Sequence, residues 1–151
     1  MQPKYPTSLQ DCADLGHAML RFRLRVPHVV AEAFHAPGQY HRVHVSGAKD
    51  AHYAIASRPG LVDFEYLVKR GSNVAETIRS LSSGSTVEVT LPEGPGFPLN
   101  EAQGKGLLLV ATGTGISPIR SVIDTLRHTD RRDDFTRLQL VYGVREPTPL
   151  A

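Results

Sequence analysis

The 151 residues carry 40% apolar and 21% charged side chains with a formal net charge of +2, a composition that excludes global disorder and gives no reason of charge to expect a nucleic-acid partner. No apolar run approaches the ~20 residues of a membrane span, and MQPKYPTSLQDCADLG has neither the apolar core nor the cleavage pattern of a secretory leader, so a cytoplasmic protein is expected. One cysteine, Cys12, excludes an internal disulfide and a cysteine-based metal cluster, and the length suits one domain of ~100–150 residues and is marginal for two.

In chain order, the first strand is predicted over 18–26, where Ala18, Leu20, Phe22, Leu24 and Val26 alternate with Arg21, Arg23 and Arg25. The arginines read as a solvated strand face or, alternatively, as a dock for an acidic partner. After the Pro37-Gly38 turn, segment 39–47 alternates less cleanly. Further strands are predicted over 52–57, 63–70 (Phe64, Tyr66 and Val68 on one face) and 85–91 (Val87, Val89, Leu91). One helix interrupts them. In 72–81, Val74, Ile78 and Leu81 share a face, Asn73 with Glu76 resembles a capping box, Ser72 is a rival cap, and Gly84 supplies the stop. Short strands separated by turn signals predict a sandwich or small barrel.

The pattern changes at about 100–105. GLLLVATG (106–113) reads as a strand buried on both faces of a parallel sheet. A helix follows, with Ile119, Val122, Ile123 and Leu126 on one side, Pro118 in its first turn and Ser117 as its cap. RLQLVYGV (137–144) completes a βαβ unit.

Three segments carry candidate chemistry. ATGTGISP (111–118) joins a strand to a helix start, where glycines and unpaired N–H groups suit a phosphate. It departs from both the GxGxxG and P-loop patterns, and its readings are a dinucleotide-binding turn or a tight turn without ligand. Lys69-Arg70-Gly71-Ser72-Asn73 is a phosphate seat or an ordinary basic strand end with a cap. Tyr53 is a stacking platform or a packed strand tyrosine. The seven histidines show neither HxH nor HExxH spacing, and His41 and His44 point to opposite faces of a strand, so packing or surface roles are expected and no metal. There is no GxSxG elbow, and nothing near Cys12 would lower its pKa.

The ordered set PGQY (37–40), YAIAS (53–57), LVK-RGSN (67–73), GPGF (94–97) and ATGTGISPIRS (111–121) resembles the ferredoxin–NADP reductase-like superfamily. It is most similar to the branch around the dihydroorotate dehydrogenase electron-transfer subunit and the plastid-type FAD/NAD(P)-binding oxidoreductases, over about residues 18–146. The resemblance implies a six-stranded antiparallel Greek-key β barrel for FAD over residues 1–102. A partial α/β (βαβ) unit for NAD(P)H would follow over 103–151. By the same resemblance, Tyr53 and the backbone of Ala54, Ile55, Ala56 and Ser57 line the isoalloxazine. Lys69, Gly71, Ser72 and Asn73 hold the flavin pyrophosphate, Phe97 lies near the flavin, and Thr112, Gly113, Thr114, Gly115 and Ile116 form the turn for the nicotinamide nucleotide.

The implied activity passes a hydride between NAD(P)H and FAD and electrons onward to an acceptor, which can be a protein. No catalytic side chain is expected, because the cofactor carries the chemistry. The alternatives are a non-enzymatic flavin-binding or electron-transfer module that needs a partner chain, and an inactive remnant. Two departures stand out. The family's Arg-x-Tyr-Ser is here Ala51-His52-Tyr53-Ala54, which removes a phosphate-pairing arginine that Lys69 or Arg58 would have to replace. The family's α/β unit also continues through more strands to a Cys-Gly segment, whereas VREPTPLA resembles the approach to a helix, so a C-terminal truncation is expected.

Overall fold

The computed structural model describes residues 2–145; the segment expected to approach a helix lies almost wholly outside them. Six strands form one antiparallel sheet: β1 (Tyr5–Gly16), β2 (Met19–Arg25), β3 (Tyr40–His44), β4 (Ala51–Ala54), β5 (Asp63–Lys69) and β6 (Thr86–Val89). Their order is β4-β3-β6-β1-β2-β5. The sheet curls so that its end strands approach, and just beyond β4 the Ala56 N–H donates to the Glu65 carbonyl of β5 at 2.7 Å. The expected Greek-key barrel is thus present as a curled sheet with an open seam between β4 and β5.

Strand β1 is absent from the sequence-based assignment. Only Thr7 and Leu9 of its twelve residues are buried. Hydrogen bonds make it a strand, since it pairs with β2 on one side and β6 on the other. Ala18, expected inside the first strand, instead turns the β1–β2 hairpin with His17, both at positive φ (61° and 51°). This is the backbone hand that two-residue hairpins require. A short helix, α1 (His28–Ala33), was also not expected; it buries Val30 and Ala31.

Helix α2 (Asn73–Ser80) begins at Ser72, whose Oγ accepts the Ala75 N–H at 3.1 Å. The rival cap therefore holds and Asn73 is the first helical residue. The helix ends before Leu81. Gly84 belongs to the next turn, where its N–H donates to the Leu9 carbonyl at 2.7 Å. The alternating residues Leu20, Phe22 and Leu24 of β2 meet Phe64, Tyr66 and Val68 of β5, with Val74 and Ile78 of α2, in one core.

Strands β7 (Gly106–Thr112) and β8 (Arg137–Gly143) pair in parallel, and α3 (Ile116–His128) connects them. Leu109 and Ala111 face α3 in a second core, which also takes in Ala56 and Leu67 of the curled sheet. The expectation that β7 is buried on both faces is corrected. Leu108 and Val110 are 59% and 61% exposed, because among the described residues α3 covers one face only. The α3 N-cap is Gly115, and Ser117 is instead a buried residue of the first turn. No helix among the described residues is long and apolar enough to cross a membrane.

Candidate functional site

A cleft of about 270 Å³ opens at the seam. Its walls are residues 51–54 of β4, residues 67–69 of β5, Ser72, Thr114 and Ser117. Elements far apart in sequence therefore bring Tyr53, Ala54, Lys69, Ser72 and Thr114 together.

Tyr53 sits half-buried with its ring edge-on to Phe22, centroids 6.0 Å apart. Its Oη lies 3.2 Å from Ser72 Oγ. Burial pushes its phenol pKa up, with the Ser72 bond opposing, so the hydroxyl stays protonated at neutral pH. Behind it, Phe22 stacks on Tyr66 at 4.6 Å. The buried Tyr66 hydroxyl lies 2.7 Å from His41 Nε2, while His41 Nδ1 lies 2.9 Å from the Thr90 carbonyl. A carbonyl only accepts, so Nδ1 carries the proton and Nε2 accepts from Tyr66. Burial holds the His41 pKa down at about 4. His41 is thus a satisfied core histidine, and His44 Nδ1 pairs with Asp50 at 2.6 Å.

The two cations of the 69–73 segment have different fates. Arg70 is engaged by Glu76 at 3.3 Å and Asp14 at 2.8 Å. Lys69 is exposed at the cleft and has no carboxylate within ion-pair distance among the described residues. Gly71 takes φ of 96° and gives its N–H to the Glu76 carboxylate at 3.1 Å. That bond, with Arg70, keeps the Glu76 carboxyl below its ordinary pKa. What remains for an anion here is the Lys69 ammonium, the Ser72 hydroxyl and the first turn of α2, where Asn73 is exposed.

Of residues 54–57, only Ala54 reaches the cleft. Ile55 and Ala56 are fully buried and give their N–H groups to the carbonyls of Gln39 and Glu65. Ser57 accepts the Glu65 N–H at 3.1 Å on its hydroxyl and the Ser121 hydroxyl at 2.7 Å on its carbonyl. Phe97 is not a wall of the cleft. Its N–H donates to the Pro37 carbonyl at 2.8 Å, and a Cβ at Gly38 would come within 3.0 Å of its ring. The PGQY and GPGF motifs therefore pack on each other, and at Gly96 a Cβ would lie 2.6 Å from that of Ala36.

The turn 112–116 runs from the end of β7 through a 3-10 turn (Gly113–Gly115) into α3. Gly113 has φ of 52° and its carbonyl accepts the Tyr142 hydroxyl at 2.8 Å. Thr114 alone of the five reaches the cleft, while Ile116 is buried in the second core.

One site residue escaped the sequence reading. Ser117, taken for a cap, instead donates to the Ala54 carbonyl at 3.1 Å and accepts the Leu67 N–H at 3.4 Å. The available signal was the recurrence of Ser117, Ser121 and Thr125 every fourth residue on a helix, all of them buried. Burial lifts the Cys12 thiol pKa, which disfavours a thiolate.

Residues 109–151 match the family described as the oxidoreductase NAD-binding domain. The chain is 34% identical over 125 residues to the sulfhydrogenase 1 subunit gamma of Pyrococcus furiosus, covering 82% of this chain and 42% of that one. It is 34% identical over 131 residues to the terephthalate 1,2-dioxygenase reductase component 1 of a Comamonas species, covering 85% and 38%. The chain thus spans about two fifths of the length of these relatives. Among solved structures, a ferredoxin NADP+ reductase from Neisseria gonorrhoeae with bound FAD and NADP superposes with a TM-score of 0.74 at 20% identity, over 95% of this chain and 58% of that one. These likenesses give the chain the fold of ferredoxin–NADP reductase-like proteins, with residues 109–151 matching the oxidoreductase NAD-binding domain.

Proposed function

We propose that the chain is the flavin-binding part, with the start of the nicotinamide-binding part, of an NAD(P)H-dependent oxidoreductase. Residues 1–102 would hold FAD and 103–151 would begin the NAD(P)H unit. When bound, FAD supplies two-electron exchange with a nicotinamide and onward transfer to an acceptor, here proposed to be an acceptor protein. The supporting observation is that one cleft joins Tyr53, Lys69 and Ser72 to Thr114 of the glycine turn.

The donor set fits the cofactor. Tyr53 offers a fixed aromatic face, held by Phe22 and Ser72. Lys69, at the end of β5 and sharing the cleft with the α2 cap Ser72, offers a cation with no carboxylate partner among the described residues for phosphate, in place of the missing arginine. Thr114 and the open glycine turn offer backbone that a nicotinamide nucleotide can approach. No side chain need act as acid, base or nucleophile.

The test is reconstitution with FAD followed by anaerobic addition of NADH or NADPH. Retained flavin that bleaches on addition supports the reading; a folded chain that retains no flavin overturns it. A second reading is a flavin-binding module that needs a partner chain before it reacts with NAD(P)H. The exposure of Leu108 and Val110 of β7 and Val141 of β8 on the outer face of the two-stranded sheet favours it. Flavin retention without bleaching would support this second reading.

A further inference from the structure

The seam between β4 and β5 is interrupted where the cleft opens. The direct rung is the bond from Ala56 N–H to the Glu65 carbonyl. In an antiparallel pair the next equivalent rung lies two residues back on one strand and two residues forward on the other. Here that rung is Ala54 with Leu67. The Ser117 hydroxyl stands between these two groups, accepting the Leu67 N–H at 3.4 Å and donating to the Ala54 carbonyl at 3.1 Å. A hydroxyl can do both at once. Ser117 is 3% exposed, so the rung is completed by a side chain at a place largely shut off from water.

The insertion has two consequences. A hydroxyl takes the place of a direct bond between the strands, and Ala54, Leu67 and Ser117 are all walls of the cleft. The same bonds join the strand carrying Tyr53 to the helix that starts from the turn 112–116. One turn farther along α3, Ser121 donates to the Ser57 carbonyl at 2.7 Å, and Arg120 pairs with Glu65. Those contacts anchor the helix, but neither Ser121 nor Arg120 is a wall of the cleft.

We propose that Ser117 is a positioning residue: its hydroxyl is the spliced rung between β4 and β5 that keeps the cleft open and fixes the glycine turn against the Tyr53 strand. The role in cofactor geometry rests on the flavin reading of the cleft; the rung itself does not.

Two measurements test this separately. In the flavin-free wild-type chain, the Leu67 amide should be protected from hydrogen exchange, and an unprotected Leu67 overturns the proposal without any variant. Ser117→Ala should raise Leu67 exchange about tenfold and change the visible circular dichroism of bound FAD. Ser117→Thr, which keeps the hydroxyl, should restore both. Ser121→Ala should leave the flavin signal as in wild type. Unchanged Leu67 exchange and flavin dichroism in Ser117→Ala, or a Thr variant that matches the Ala variant, would overturn the proposal. If the wild-type chain takes up no FAD, the flavin reading fails, and Leu67 exchange still decides the rung.

Discussion

Tyr53 Oη and Ser72 Oγ lie 3.2 Å apart, and the same Ser72 oxygen caps α2 by accepting the Ala75 N–H at 3.1 Å. One oxygen thus fixes both the aromatic wall of the cleft and the helix start beside it. Ser72→Ala removes both bonds. Loss of an N-cap serine costs about 1 kcal/mol, to be read by urea unfolding. Tyr53→Phe leaves the cap intact and should keep stability within about 0.5 kcal/mol. Both variants should weaken FAD binding in a fluorescence titration, since in both the ring loses its tether. Equal unfolding midpoints for Ser72→Ala and Tyr53→Phe would contradict this division of roles.

Lys69 and Arg70 are adjacent cations with opposite assignments. Arg70 is engaged by Asp14 and Glu76, whereas Lys69 faces the cleft. Lys69→Gln should weaken FAD binding roughly tenfold, the scale of a charge-assisted hydrogen bond at an exposed site. The loss should shrink as salt is raised. Arg70→Gln should lower binding less, because that guanidinium is already neutralised. A larger loss at Arg70 than at Lys69 would reverse the assignment.

Acid should destabilise the fold in two separable stages. His41 has its pKa held down at about 4 by burial, against an ordinary value of ~6.5 in an unfolded chain. As pH falls from ~6.5 toward 4 the unfolded chain binds a proton that the folded chain does not, so stability falls, by about 3 kcal/mol at most. Asp11, Asp50 and Asp63 have pKa values lowered chiefly by hydrogen bonds to Arg23, His44 and Arg25, and their stabilisation is lost only at lower pH. His41→Gln keeps a donor and an acceptor and should flatten the first stage alone. The check is the unfolding free energy measured across that range.

Neighbouring residues of β7 should respond very unequally to truncation. Leu109 is 5% exposed and Leu108 is 59% exposed. Leu109→Ala should cost about 3 kcal/mol by cavity formation, and Leu108→Ala less than about 0.5 kcal/mol. Amides of β7 and β8 should also exchange faster than those of β2 and β5, since one face of their two-stranded sheet is open. Equal protection of the two sheets would contradict this.

Much of the fold was legible because its signals are local. The alternation of Leu20, Phe22 and Leu24, and of Phe64, Tyr66 and Val68, maps onto the core faces of β2 and β5. The glycine turn before α3 and the turn before α2 stand where they were expected. Strand β1 was illegible because only Thr7 and Leu9 of its side chains are buried and its backbone partners lie in β2 and β6. The open face of β7 was misjudged because a continuous apolar run reports the chemistry of a strand and not what covers it.

For the site, residue type and order along the chain were enough to choose Tyr53, Lys69, Ser72 and the 112–116 turn as candidates. Their convergence on one cleft was decided by the tertiary structure, and so was the separation of Lys69 from the paired Arg70. Ser117 shows the limit most clearly. As sequence it is a serine near a helix start, where a cap is the local expectation. Its hydroxyl instead completes a rung between Ala54 and Leu67, 63 and 50 residues away. Periodicity, capping and turn chemistry depend on neighbours in sequence, so the sequence alone determined the candidate strands, helices and glycine turns. The seam between β4 and β5 depends on the register of two distant strands and the helix laid across them, which only the folded chain decides.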